Sequence, residues 1–106
     1  MNINNTELFV GRLGKEPDLR YTKTQKAVCH LSVATTDEEE KKTTWNKVVV
    51  WGKQAELCSL YLKKGKEVFV KGYREFKEFT TDDGEIKKYQ EITGDEIDES
   101  NLMFNF

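Results

Sequence analysis

The sequence predicts an all-β domain: a five-stranded Greek-key barrel with one short helix between the third and fourth strands and a long hairpin joining the fourth to the fifth. Three observations carry this expectation. Runs of β-branched and aromatic residues alternate in polarity, the period of a strand. Only one stretch, residues 53–62, switches to helical spacing. The order of three strands, a helix and two strands is that of the OB-fold, in which the helix falls between strands three and four. The competing architecture is a generic α+β sandwich, and it is less suited to two long final strands that can extend past a barrel as a finger.

Residues 7–13 form the first strand, with Gly11 inside it; a glycine there often marks a bulge or a sharp bend in a closing barrel. A turn follows over 14–17. The second strand spans 27–36 and places Ala27, Cys29, Leu31 and Val33 on one face. The acidic run at 37–40, with Lys41 and Lys42, makes a hairpin loop leading into the third strand at 44–51. In the helix, Ala55, Cys58 and Leu62 recur at i, i+3 and i+7, with Leu57 and Tyr61 flanking, and Lys63, Lys64 and Gly65 supply a basic end and a stop. The fourth strand runs from 67 to about 79. The Asp83-Gly84 pair suits a tight hairpin turn, and the fifth strand occupies 85–97. Residues 1–97 are thus one barrel domain, and 98–106 a short acidic and apolar tail.

The third strand is the most informative stretch. Alternation puts Trp45, Lys47, Val49 and Trp51 on one face and Asn46, Val48 and Val50 on the other. The valines suit a barrel interior. Two indoles with a lysine between them suit a single-stranded nucleic acid, because indoles stack on unpaired bases while a cation holds the backbone. A sheet buried on both faces, or tryptophans serving a subunit interface, would produce the same pattern.

The 106 residues are enough for one modest core and too few for two. No apolar run approaches the length of a membrane span, and the first five residues lack the basic start and hydrophobic run of a signal peptide. Cys29 and Cys58 are far apart, show no metal-ligand spacing and read as reduced, core-filling thiols of a cytosolic protein. His30 stands without cysteine or carboxylate at metal spacing, which points to a surface or interface role. One histidine and scattered serines build no nucleophile–base–orienter set, and no glycine-rich phosphate loop is present, so neither an enzyme nor a cofactor or metal is expected. Tyr21 and Tyr61 are expected to pack against the barrel.

A net charge of −2 argues against nucleic acid until its distribution is considered. Residues 37–40 are all acidic, and residues 95–106 carry four acids and no base, whereas residues 41–79 hold ten Lys/Arg against four Glu. A basic face can therefore steer an anion locally despite the acidic extremities.

These phrases, taken together, resemble the bacterial single-stranded-DNA-binding protein family over about residues 8–97. The resemblance rests on Gly11-Arg12-Leu13-Gly14-Lys15-Glu16-Pro17 with Arg20-Tyr21-Thr22, then Ala27-Val28 and Ser32-Val33-Ala34-Thr35, then Thr44 to Glu56 as a block. It continues with Tyr61-Leu62-Lys63-Lys64-Gly65, Val68-Phe69-Val70-Lys71-Gly72, Asp83-Gly84 and Glu91-Ile92. It implies base stacking on Trp45, Trp51 and Phe79, and phosphate contacts from Lys47, Lys53, Arg20, Lys63, Lys64 and Lys77. It also implies a homotetramer, in equilibrium with dimers; strand alternation independently leaves Phe69, Lys71 and Tyr73 on the outer face of the fourth strand, where a large apolar residue such as Phe69 suits a partner surface. Asn46 stands where the family often has a histidine near a subunit boundary. Single-stranded DNA is the implied partner, together with replication and repair proteins, in a cytoplasmic setting beside the nucleoid. Three departures weaken the match. Glu39 replaces a family aromatic, Glu75 and Glu78 replace basic residues, and the usual long tail with an acidic Pro-Phe tip is missing.

The reading that results is sequence-independent binding and protection of single-stranded DNA during replication, repair and recombination. Its rival from another class is an OB-fold assembly or protein-interaction subunit with weakened DNA binding, and a cold-shock-type RNA module is a weaker third.

Overall fold

The computed structural model describes residues 6–99. The elements are β1 (Thr6–Leu13), β2 (Asp18–Tyr21), β3 (Ala27–Asp37), β4 (Lys42–Trp51), α1 (Lys53–Tyr61), β5 (Glu67–Thr80) and β6 (Ile86–Glu99). One strand more than expected is present. The short β2 pairs antiparallel with the start of β3, Asp18 opposite His30 and Tyr21 opposite Ala27. Four residues with a single core-directed side chain, Leu19, give too short an alternation to be read as a strand.

β1 pairs with β5, β5 with β6, β6 with β4 and β4 with β3. The circuit closes where β3 returns to β1 through Arg12 opposite Ala34 and Leu13 opposite Val33. This is the expected OB barrel. Gly11 marks its closure rather than a bulge: a Cβ there would overlap the Ala34 carbonyl oxygen, so a bare backbone lets β1 pass from β5 to β3. The bulge lies elsewhere, between Lys71 and Gly72, where the β5–β6 register shifts. Beyond it the hairpin runs regularly to Thr80 opposite Ile86, its turn closed by the Thr81 N–H donating to the Glu85 carbonyl at 2.8 Å.

The core is the set that the alternation selects. Ala27, Cys29, Leu31 and Val33 of β3 meet Val48 and Val50 of β4, Val68 and Val70 of β5, and Ile92 and Ile97 of β6, all buried. Each such Val, Leu or Ile side chain contributes about 1.5–3 kcal/mol on leaving water. Ala55, Cys58 and Leu62 of the helical segment cover one end of the barrel. The helix ends one residue early, and Leu62 caps it by donating its N–H to the Cys58 carbonyl at 3.0 Å. Gly65 sits farther on and ties its loop to β1 through the Leu13 carbonyl at 2.8 Å. Among the described residues, no helix is long and apolar enough to cross a membrane.

Several expectations need correction. Asn46 shares the valine face and is buried, its amide donating to the Val33 carbonyl and the Thr35 hydroxyl, both at 3.1 Å. That side chain is hydrogen-bonded within the barrel wall. Phe69, Lys71 and Tyr73 keep the outward parity of β5, Phe69 and Lys71 half-buried and Tyr73 exposed. Tyr21 does not pack inward; it reaches sideways to donate to Glu56 of α1 at 2.7 Å, and Tyr61 is exposed. The last strand continues to Glu99, two residues past its expected end at Ile97. The rest of the expected tail, 100–106, lies outside the described residues.

Candidate nucleic-acid interface

Residues directly opposite one another in neighbouring strands share a face, so register lays the outer surface out in rows. Arg20, Val28 and Trp51 form one row; Asp18, His30, Val49 and Thr93 the next; then Ser32 with Lys47, and Ala34 with Trp45. Trp45 is 62% exposed and Trp51 45%, so both indoles are open to a planar ligand. Val49 is on this face but buried between its taller neighbours. Trp45 lies against Gly14, where a Cβ would overlap the six-membered ring.

The parallel pairing of β4 with β6, Val49 opposite Thr93, brings the hairpin alongside this face. In the hairpin Lys77 opposes Tyr89 and Phe79 opposes Lys87. Phe79 and Tyr89 pack edge to face with ring centroids 5.9 Å apart, and the Lys47 ammonium stands 5.2 Å from the centre of the Tyr89 ring. At the other end of β4, Lys26 lies 5.9 Å from the centre of a Trp51 ring. Cations over aromatic faces at these distances are attractive and keep both groups ordered.

The charges are partly internally paired. The buried carboxylate of Glu91 accepts from Lys77 at 3.0 Å and stands 4.0 Å from Lys47. The hydrogen bond to Glu91, reinforced by its charge, raises the Lys77 pKa. Arg74 grips Glu7 through two bonds of 2.7 and 2.8 Å and donates to the Gln90 side chain at 2.9 Å. That grip holds the Glu7 carboxyl below the usual range, against a smaller opposing effect of burial. Thr93 donates to Glu75 at 3.0 Å, so this acid is engaged by the sheet. Arg20 is held by Asp18 at 3.2 Å, which offsets its charge.

An open groove of about 690 Å³ separates the start of β4 from the hairpin; Trp45, Lys47, Phe76, Lys77, Lys88 and Tyr89 line it. A smaller one, about 230 Å³, lies on the other side of Trp45 beside Lys15, His30 and Ser32. Trp45 and Lys47 belong to both. Of the residues picked from sequence, Trp45, Lys47, Lys77 and Phe79 thus come together, and Arg20 joins Trp51 in its row. Lys53 opens α1, and Lys63 and Lys64 follow its end; all three are exposed but line neither groove. Tyr89, Glu91 and Lys26 were missed. Counting outward from the Asp83-Gly84 turn would have placed Tyr89 opposite Lys77. Glu39 is exposed in the loop after β3, which Asp37 organises by accepting the Glu39 and Glu40 N–H groups at 2.9 and 3.2 Å. Among the described residues, no group of three or more His, Cys, Asp or Glu side chains could hold a metal.

The chain is 36% identical over 100 residues to a protein of Xanthomonas campestris pv. campestris named single-stranded DNA-binding protein, covering 88% of this chain and 58% of that protein. A protein of the same name from Xanthomonas axonopodis pv. citri is 34% identical over 88% of this chain and 56% of its own length. A third, from Xylella fastidiosa, is 32% identical over 88% of this chain and 61% of its own. The chain therefore spans about three fifths of the length of these relatives. The model of the single-strand binding protein family matches residues 3–100, and this chain belongs to that family.

Proposed function

We propose that this protein binds single-stranded DNA without reading its sequence and shields exposed strands during replication, repair and recombination in the bacterial cytoplasm. The observation that carries the reading is the continuous face on which Trp45, Lys47, Lys77, Phe79 and Tyr89 alternate rings with cations. Rings accept bases of any identity, and ammonium groups accept phosphates, so the surface holds a strand without selecting bases. Trp51, with Arg20 two strands away in the same row, extends the track toward the far end of β4. Lys53, Lys63 and Lys64 supply phosphate contacts outside the grooves. No bond is made or broken in this activity.

Assembly belongs to the same proposal. Leu8 and Val10 of β1 oppose Lys71 and Phe69 of β5, and with Tyr73 they form an apolar outer strip. A self-complementary contact of such strips would build a dimer or homotetramer and join several short DNA tracks.

A poly-dT titration followed by tryptophan fluorescence tests the binding. Stacking should quench Trp45 and Trp51, and Trp45→Ala and Trp51→Ala should each weaken binding by about 1–3 kcal/mol while the barrel stays folded. Unchanged fluorescence at micromolar protein would favour the second reading, an OB-fold assembly subunit. That reading has Glu91 in its favour, because it neutralises cations of the face. Competition between dT and rU oligomers of equal length separates DNA from RNA.

A further inference from the structure

We infer that the bound strand turns through the notch between β4 and the hairpin, stacking a base on Phe76 and placing a phosphate beside Lys88 on the hairpin's reverse face. This rests on the single-stranded-DNA reading above, and it names contacts outside the face that carries that reading. Phe76 opposes Gln90, and Glu78 opposes Lys88, so these side chains point away from Lys77 and Tyr89. Phe76 has the parity of the buried Val68 and Val70, yet the hairpin has by then left the barrel. At 78% exposed it is the most open large apolar side chain among the described residues.

A lone exposed ring needs no partner. Here, however, it lines the same groove as Trp45 and Tyr89, and that groove of about 690 Å³ has the size of sites that hold small ligands. Its cation is Lys88, since Arg74 is engaged by Glu7 and Gln90, whereas Lys88 makes no ion pair among the described residues. Ring and cation on the reverse face repeat the chemistry of the front face and are continuous with it through the groove. A strand lying on the front face alone would leave them unused.

Binding of a dT length series to the full chain, read by anisotropy of labelled oligomers, tests the path. Phe76→Ala should lower affinity on the order of tenfold for oligomers long enough to reach both faces, and leave short ones unaffected. Lys88→Ala should flatten the slope of log affinity against log salt by about 0.7. A reporter with Trp45→Phe, Trp51→Phe and Phe76→Trp should lose fluorescence on binding long dT. Circular dichroism and melting temperature confirm that each variant folds. If the parent binds dT while Phe76→Ala matches it at every length and the reporter is unquenched, the path is wrong and the front-face reading stands. A change in molar mass by light scattering with unchanged affinity would make Phe76 a subunit contact and also overturn the path. A parent that does not bind dT removes the front-face reading, and the path with it.

Discussion

The indole of Trp45 rests on the bare backbone of Gly14, so closely that a Cβ at Gly14 would enter its six-membered ring. The turn after β1 thereby sets the tilt of a side chain that borders both grooves. Gly14 is required for that approach and not for its backbone angles, since it is not among the positive-φ glycines. Gly14→Ala is expected to push the exposed indole aside at little cost to the fold. Oligo-dT affinity should then fall toward that of Trp45→Ala while the melting temperature stays near the parent's. An unchanged affinity would show that the tilt of the ring is immaterial.

The second expectation concerns Glu91. Because it pairs with Lys77 and stands near Lys47, it competes with phosphate for both. Lys47→Ala should flatten the salt slope by about 0.7, the increment of one single-strand phosphate contact. Glu91→Gln keeps the shape and removes the charge, so it should tighten dT binding at low salt. Binding that weakens instead would mean the carboxylate serves to hold the lysines in place.

Acid stability offers a third test. The Glu7 pKa is lowered in the folded state by the Arg74 hydrogen bond. Folding therefore gains stability from this pair above the unfolded carboxyl value, and the gain disappears as pH falls through the lowered folded value. Both side chains remain partly exposed, so the contribution is at most about 1 kcal/mol. In urea melts, Glu7→Gln should be less stable than the parent at pH 7, and the two should converge as pH falls through the lowered folded value. A gap that persists in acid would locate its cause outside the ion pair.

The fourth uses the cysteines. Burial, with a smaller push from the charge of Asp18, raises the Cys29 pKa to about 11, and Cys58 is buried as well. Since the thiolate is the reactive form, both should resist a maleimide or an aromatic disulfide reagent at pH 8 in the native protein. They should react at once in denaturant. Rapid native labelling of Cys29 would contradict its place in the core.

Sequence alone determined the barrel class, the order of the elements apart from the short β2, the inner face of β3 and β4, and the exposure of Trp45, Lys47 and Trp51. These depend on a period of two and a change to helical spacing, which a few neighbouring residues express. Tertiary structure decided what meets that face. Lys47 joins Tyr89 and Glu91 because β6 lies parallel beside β4, a pairing made only when the barrel closes. Gly14 reaches Trp45 for the same reason: non-local packing brings together residues whose separation along the chain carries no periodic signal. For Asn46 the alternation already pointed inward, and the neighbouring Val33 carbonyl and Thr35 hydroxyl show why a polar side chain can be buried there.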